Sequence, residues 1–250
     1  MRNHDSKVVV VMPAYNAAKT IKSVYLDIPK EYKKHCILVD DFSSDETVEI
    51  ARSLGIKVIQ RKINGGYGAN QKTCYDAALK SGADIVVMLH PDNQYDARVL
   101  PALVKVIELK ICDIVLGNRI RTRKEALQGG MPHWKYFINR TSTFIENLVL
   151  GQSLGDFHSG LRAYNSKVLR TVPFKHNSDD FAFDQEFLVQ SIHFGFKIGD
   201  IPVPVRYFEN SSSINFRRSL RYGIGGVFAI ICQILTKFKL INDKRFIENN

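Results

Sequence analysis

Four polar side chains crowd the end of the stretch Ala83–Asp96, ADIVVMLHPDNQYD: His90, Asp92, Gln94 and Asp96, at a spacing of two. In extended backbone alternate side chains point the same way, so His90, Asp92 and Gln94 can converge on one small volume. An imidazole with carboxylate and amide oxygens suits a divalent cation of mixed oxygen and nitrogen ligation, Mg²⁺ or Mn²⁺. The same residues also read as a polar loop capping a helix over about Arg98–Leu109, since Asp and Asn are common helix caps. Three other groups could do chemistry. Asp40-Asp41 are adjacent carboxylates, and burying both is costly, so at least one should face solvent or a ligand. Asp156, His158 and Arg162 form either a site cluster or a buried hydrogen-bonded corner. Asp184 and Glu186, in NSDDFAFDQE, bracket a helix start and are candidates for acceptor contact, although helix N-termini favour acids in any case.

The elements that must position these groups follow from the hydrophobic pattern. Lys7–Met12, Cys36–Val39, Lys57–Gln60 and Ala83–Leu89 are short apolar runs, and Asp113–Gly117 is another. Between them lie helical patterns: one with apolar positions Ile21, Val24, Tyr25 and Ile28, one opened by the capping-box sequence Ser43-Ser-Asp-Glu46 and stopped at Gly55, and one over Ala69–Ser81. Strands alternating with helices at this pitch imply βαβ units and a mainly parallel sheet. Ligands then bind beyond the carboxyl ends of the strands, where His90 and Asp92 fall. Asn64-Gly65-Gly66-Tyr67-Gly68 reads as a flexible loop with neither Rossmann nor Walker spacing. Arg119, Arg121, Arg123 and Lys124, followed by Gly129-Gly130, read as a mobile basic loop. Trp134–Leu150 is a helix with Trp134, Phe137, Ile138, Phe144, Ile145, Leu148 and Val149 along its apolar side. Lys197–Tyr207 is a last strand, confined to a sheet edge by Pro202 and Pro204.

The chain has 250 residues, enough for one good core, and 35 Lys+Arg against 25 Asp+Glu give a net charge of +10. That excess predicts an anionic partner: a membrane surface or a phosphorylated substrate. No nucleic-acid-binding signature accompanies it, so nucleic acid is not expected. Cys36, Cys74, Cys112 and Cys232 form no CxxC pair and read as reduced thiols of a cytoplasmic protein. The sequons at Asn139 and Asn210 would then go unused. The N-terminus runs straight into a strand and is not a signal peptide. From Ser211 the character changes: Arg217, Arg218 and Arg221 precede Tyr222–Thr236, fifteen residues without a charge, and Lys237, Lys239, Lys244 and Arg245 follow. A bilayer span needs about twenty apolar residues. The tail therefore reads as an interfacial helix at an anionic membrane face, or as a helix packed on the core or on a sister subunit.

In order along the chain, Pro13-Ala14-Tyr15-Asn16, Val39-Asp40-Asp41 with Ser43-Ser44, Asn64-Gly65-Gly66-Tyr67-Gly68, the acidic strand end, Gly117-Asn118-Arg119, Ser159-Gly160-Leu161-Arg162-Ala163-Tyr164 and Ile201-Pro202 form a recognisable series. With these motifs, over roughly residues 7 to 216, the chain resembles family 2 glycosyltransferases of the GT-A fold, and among them the dolichyl- and polyprenyl-phosphate sugar synthases. The resemblance implies an α/β domain over 1–215, with 216–250 as a basic, amphipathic tail. It implies a metal site at His90, Asp92 and Gln94, where the family's Asp-x-Asp has its first aspartate replaced by His90. Pro13, Tyr15, Asn16, Asp40, Asp41, Gly66 and Asn70 would hold the nucleotide, and Arg119 and Arg140 would meet the phosphates of donor and acceptor. Where the polyprenyl-phosphate enzymes carry Gly-x-Ser-Lys after the last strand, this chain has Ser211–Asn215, and Arg206 or Arg217 would supply that charge.

The expected function is inverting transfer of a hexose from a nucleotide-diphosphate sugar, of the GDP-mannose or UDP-glucose type, to a polyprenyl or dolichyl phosphate. Asp92 would take part through Mg²⁺ or Mn²⁺, with the protein peripheral at the cytosolic membrane face, as a homo-oligomer or with a membrane subunit. The alternatives are transfer to a glycan hydroxyl, with Asp184 as the base, and an inactive nucleotide-sugar-binding subunit.

Overall fold

The computed structural model describes residues 6–120, 122–205 and 216–247. Arg121, Arg206, Tyr207, the sequon at Asn210 and Ser211–Asn215 lie outside the described residues, as do the side chains of Arg217, Arg218 and Arg221.

Strands β1 (Val8–Ala14), β2 (Cys36–Asp40), β3 (Lys57–Gln60), β4 (Ile85–Met88), β5 (Ile114–Asn118), β6 (Arg162–Asn165) and β7 (Ile198–Pro202) form one sheet in the order β3-β2-β1-β4-β6-β5-β7. All neighbours are parallel except β6, which runs antiparallel to both β4 and β5. The apolar runs of β1, β2 and β4 are wholly buried because helices cover both faces of the sheet. The proline-bearing β7 lies at one edge, as its sequence requires.

The helices are α1 (Ile21–Asp27), α2 (Lys30–Lys33), α3 (Thr47–Ser53), α4 (Tyr67–Lys80), α5 (Leu100–Glu108), α6 (Arg123–Gln128), α7 (His133–Leu150), α8 (Ser166–Thr171), α9 (Phe183–His193) and α10 (Phe216–Lys237). Two local readings are corrected. Ser43 does not cap α3. The helix begins at Thr47, and Asp45 takes the amide protons of Thr47 and Ala18 instead, tying it to the β1 loop. The basic stretch after β5 is not all loop, because Thr122 accepts from Glu125 N at 3.1 Å and opens α6. The Thr-x-x-Glu spacing that signals such a start stands in the sequence.

The register explains why the polar groups meet. The parallel strands β1, β2, β4 and β5 all end at one edge of the sheet, and antiparallel β6 begins there, with Arg162 beside Met88 and Leu116. The last two helices build the other side. Helix α10 crosses α9 so closely that a methyl group on Gly225 would lie 2.7 Å from Ala182 Cβ, and one on Gly226 2.8 Å from Gln185 Cγ. Through Ala229, Ile230 and Cys232 it joins the core that α9 shares with the sheet.

Candidate active site

At the end of β4 the backbone does not continue extended. Asn93 takes φ 61°, and Asp92 accepts from Gln94 N at 3.1 Å, so His90, Asp92 and Gln94 lie on a turn rather than on alternating strand positions. That corrects the geometry read from spacing. Asp96 is a helix cap, accepting from Arg98 N at 3.0 Å at the start of the turn that leads into α5. The site loop is held to α1 by a hydrogen bond from Thr20 Oγ1 to Pro91 O.

His90 is placed by groups from three distant segments. Its ring stacks on Tyr67 with centroids 5.5 Å apart, and its Cδ2 edge lies against Gly160, where a methyl group would be 2.9 Å away. Tyr67 Oη donates to Asp184 Oδ2 at 2.7 Å and lies 3.2 Å from His90 Nε2. A phenol has one proton; with that proton on Asp184, His90 Nε2–H must be the donor to Tyr67, which leaves the Nδ1 lone pair available. Burial pushes the His90 pKa down, with Asp92 and Asp184 pulling the other way and Arg162 adding to the fall, so the ring is neutral.

Asp184 sits at the start of α9. Its Oδ1 accepts from Gln71 Nε2 at 2.9 Å and lies 3.6 Å from Arg162 Nη1, which also donates to the Asp184 carbonyl at 3.0 Å. Glu186 turns elsewhere, pairing with Arg245 at 2.9 Å. Both Asp184 carboxylate oxygens therefore already accept hydrogen bonds.

The ends of β1 and β2 carry a second group. Asp40 and Asp41 are both buried, so neither faces solvent, one of the two outcomes expected of the pair. Asp41 is compensated: Arg61 Nη1 donates at 2.7 Å, and Gly65 N and Gly66 N donate at 3.0 Å each. The glycine loop is thus wrapped on a carboxylate rather than loose. Asp40 accepts from Ser43 N through Oδ2, while Oδ1 has no partner. Asn70 donates to Val39 O at 3.1 Å and Ala14 O at 3.4 Å, joining the two strand ends, and its Oδ1 is likewise unpartnered. Pro13 is buried in β1, Asn16 ties its turn to Ser43 and Ser44, and Tyr15 is exposed. Phe42, exposed at φ 65°, follows β2 as Tyr15 follows β1. Sequence reasoning passed over Phe42, although an aromatic ring straight after the Asp40-Asp41 pair was the available signal.

A third group gathers cations. Arg119 Nε donates to Asp156 Oδ2 at 2.7 Å and Nη2 to Oδ1 at 3.3 Å, while Asn139 Nδ2 and His158 N each reach Oδ1 at 3.0 Å. Burial alone would raise the Asp156 pKa; the Arg119 charge and hydrogen bonds outweigh it and hold the carboxyl well below the usual range. Arg140 donates to Gly155 O at 2.5 Å. Lys135, one turn before Asn139 on the same face of α7, is half-buried near Arg119 and Asp156. Burial and the Arg119 charge push its pKa down, with Asp156 opposing. This lysine was missed in the sequence, where it looked like part of an apolar helix. Beyond it, Glu146 Oε1 accepts from Gln185 Nε2 at 2.7 Å, and Glu146 Oε2 lies 3.3 Å from His158 Nε2. Burial, aided by Asp156, raises Glu146 to about 8, and burial lowers His158 to about 4, so both are uncharged at neutral pH.

Among the described residues no three His, Cys, Asp or Glu side chains converge on one cation. Asp92, half-buried at the strand end, with the His90 Nδ1 lone pair, nevertheless fits a cation completed by a ligand's phosphates. Mg²⁺ ordinarily binds in that way, through one or two carboxylates and a substrate.

Residues 9–172 of the chain match the family described as Glycosyl transferase family 2. The chain belongs to this glycosyltransferase family. It is a hexosyltransferase with the GT-A fold, resembling the polyprenyl-phosphate sugar synthases. It is similar to UDP-N-acetylglucosamine–dolichyl-phosphate N-acetylglucosaminyltransferase of Methanococcus voltae, 27% identical over 83% of this chain and 88% of that one. It is also similar to dolichyl-phosphate hexose transferase of Haloferax volcanii, 29% identical over 79% of this chain and 82% of that one. Among solved structures, glucosyl-3-phosphoglycerate synthase of Mycobacterium tuberculosis with bound UDP superposes with a TM-score of 0.70 at 19% identity, covering 96% of this glycosyltransferase and 82% of that chain. Another crystal structure of that synthase holds Mn²⁺ with UDP and phosphoglyceric acid. The family motifs at Pro13–Asn16, Asp40-Asp41 and Gly117–Arg119 lie at the three strand ends described above.

Proposed function

We propose that this glycosyltransferase moves a hexose, with inversion, from a nucleoside-diphosphate sugar to the phosphate of a polyprenyl or dolichyl lipid. The observation that carries the reading is the pairing of a cation cluster with a base already engaged. Arg119, Arg140 and Lys135 lie around the end of β5 and the inner side of α7, whereas both oxygens of Asp184 are taken by Tyr67 and Gln71. A phosphate oxygen is already an anion and requires no base; a sugar hydroxyl would require one. The curated relatives that name lipid phosphates support the same choice.

In this reading the nucleotide base lies by Tyr15 and Phe42, with the free Oδ1 of Asp40 as an acceptor for a base or ribose proton. Gly66 and Asn70 hold the loop and strand ends that frame it. The diphosphate extends towards Asp92 and His90, which would hold a divalent cation; when bound, that cation would offset the negative charge of the diphosphate. Arg119, Arg140 and Lys135 orient the acceptor phosphate on the opposite face of the sugar. Its oxygen forms a bond to the anomeric carbon as the bond to the diphosphate oxygen breaks, and no proton changes hands. Fixing the two reactants in line and surrounding them with preset charge supplies the acceleration.

The test is transfer of radiolabelled hexose from UDP- and GDP-sugars to a short-chain isoprenyl phosphate in detergent, with Mn²⁺. Labelled lipid that is lost in Arg140→Ala and Lys135→Ala is the expected result. Label passing instead to a free glycan hydroxyl, and lost in Asp184→Asn, would overturn the reading.

A further inference from the structure

Helix α7 is turned inside out relative to an ordinary surface helix. Its polar residues Asn139, Thr143 and Glu146 are buried, at 7%, 1% and 7% exposure, and Asn139 meets Asp156 while Glu146 meets Gln185 of α9. Its large apolar residues face solvent, among them Phe137, Phe144, Ile145 and Leu148, the last 73% exposed. Helix α10 has a similar outer row in Ile224, Val227, Phe228 and Ile231. The two helices adjoin the same residue. Gln185 bonds Glu146 of α7 through its amide, and its methylenes lie under Gly226 of α10. The two apolar rows therefore flank one point of α9 and form neighbouring parts of one surface. Soluble proteins seldom leave so many large apolar side chains together in water without a partner.

Charge says which partner. The one carboxylate in α7 is Glu146, which faces inward, and α10 contains no Asp or Glu. Exposed Lys237, Lys239 and Lys244 stand at the far end of α10, and exposed Arg123 and Lys124 stand on α6, which precedes α7. A second copy seated on this face would bring like-charged rims together. An anionic bilayer accepts both features, apolar side chains at the acyl boundary and lysines among the headgroups. No helix among the described residues is long and apolar enough to cross a membrane, so contact would be in the plane of the interface.

We infer that the outer faces of α7 and α10 together form a docking surface for an anionic membrane. This rests on the proposed lipid-phosphate acceptor only for its purpose. The same helix that lies on the lipid carries Lys135 on its inner side and Arg140, one turn before Phe144, at the margin of its outer row, so docking would place the cation cluster at headgroup level.

The test is flotation of the full chain with phosphatidylcholine vesicles, with and without phosphatidylglycerol, for wild type and the outer-face variant Phe144→Ser/Leu148→Ser. The wild type should float with the anionic vesicles and be partly released by salt. The double variant should float about tenfold less or worse, since each lost side chain forfeits its apolar burial. Its melting temperature and its turnover of a water-soluble isoprenyl phosphate should be unchanged. Flotation of wild type without turnover of any isoprenyl phosphate would sink the proposed acceptor and leave the docking surface standing. Equal flotation of the variant, or no flotation of the wild type, would overturn the surface. So would a lipid-free dimer that the double variant splits into monomers, which would assign the face to a second copy.

Discussion

Arg119 and Asp156 form a forked ion pair, Nε to Oδ2 at 2.7 Å, in which the carboxylate is wholly buried and the guanidinium is 11% exposed. The pair joins the end of β5 to the segment before β6, and Asn139 adds α7 to it. Removing one partner of a buried pair leaves the other charge stranded, at a cost of about 3–5 kcal/mol. Arg119→Leu should lose stability of that order in urea denaturation. Arg119→Leu/Asp156→Asn should recover a good part of it while remaining inactive. A double variant no more stable than Arg119→Leu would show that the stranded charge is not the cause.

Glu146 gives the fold a pH dependence of predictable sign. Its folded pKa is raised to about 8, so between the ordinary carboxyl value and 8 the native state binds a proton that the unfolded chain has lost. Its contribution is therefore complete in acid and is lost as pH rises to about 8, with a slope of up to about 1.4 kcal/mol per pH unit. His158, lowered to about 4, contributes the opposite slope, confined to the interval between that value and the ordinary histidine pKa. From pH 6.5 to 8 the opposing slope of His158 fades as the unfolded chain's histidine loses its proton too, while the Glu146 slope persists. Urea midpoints in that interval should fall with pH for the wild type and flatten in Glu146→Gln. A wild-type midpoint as flat as the variant's would contradict the assignment.

Gly68 leaves no room for a side chain. A methyl group there would lie 2.3 Å from Ser178 O and 2.8 Å from Phe183 Cβ, and Gly68 N already donates to Asp179 O at 2.8 Å. Backbone cannot swing aside as a long side chain can, so Gly68→Ala should force the start of α4 away from the segment leading to Asp184. A loss of about 1–3 kcal/mol is expected, with weaker donor binding because Tyr67 moves too. Gly223→Ala is the control. Nothing lies within 4 Å of that position, and alanine in a helix should be neutral or stabilising. Equal melting temperatures for the two variants would refute the steric account.

Asp92→Asn separates nucleotide binding from cation binding. For the wild type, a nucleoside diphosphate at a hundred times its Kd adds about 2.7 kcal/mol, and a cation that tightens binding adds more at the same concentration. The variant should keep the shift in melting temperature caused by nucleotide alone and lose the increment due to Mn²⁺. An undiminished Mn²⁺ increment would place the cation elsewhere.

Much of this architecture could be read along the chain. The runs at Val8–Met12, Cys36–Val39 and Ile85–Leu89 announce buried parallel strands by having no polar alternation, and the position of His90 and Asp92 after such a run puts them at a ligand-binding edge. Local signals were less secure where two side chains competed for one role. Ser43 had the capping spacing, yet Asp45 took the amides because its carboxylate also reaches Ala18 across the β1 turn.

Composition, strand order of appearance and motif spacing are properties of the chain alone, and they determined the fold class, the sheet edge at which the polar groups gather and the family. Direction and partnership were decided by tertiary structure. Periodicity shows that α7 has two faces but not which one points inward; that was set by Asp156 and Gln185, which supply polar partners the helix could find only after folding. Asp41 looked too costly to bury until Arg61 and two loop amides closed on it. Asp184 looked like a free base until Tyr67, Gln71 and Arg162 converged on it from two other elements. The physical reason is common to all three. A charge or polar face has a definite energy only in its surroundings, and those surroundings are assembled from residues far apart in sequence.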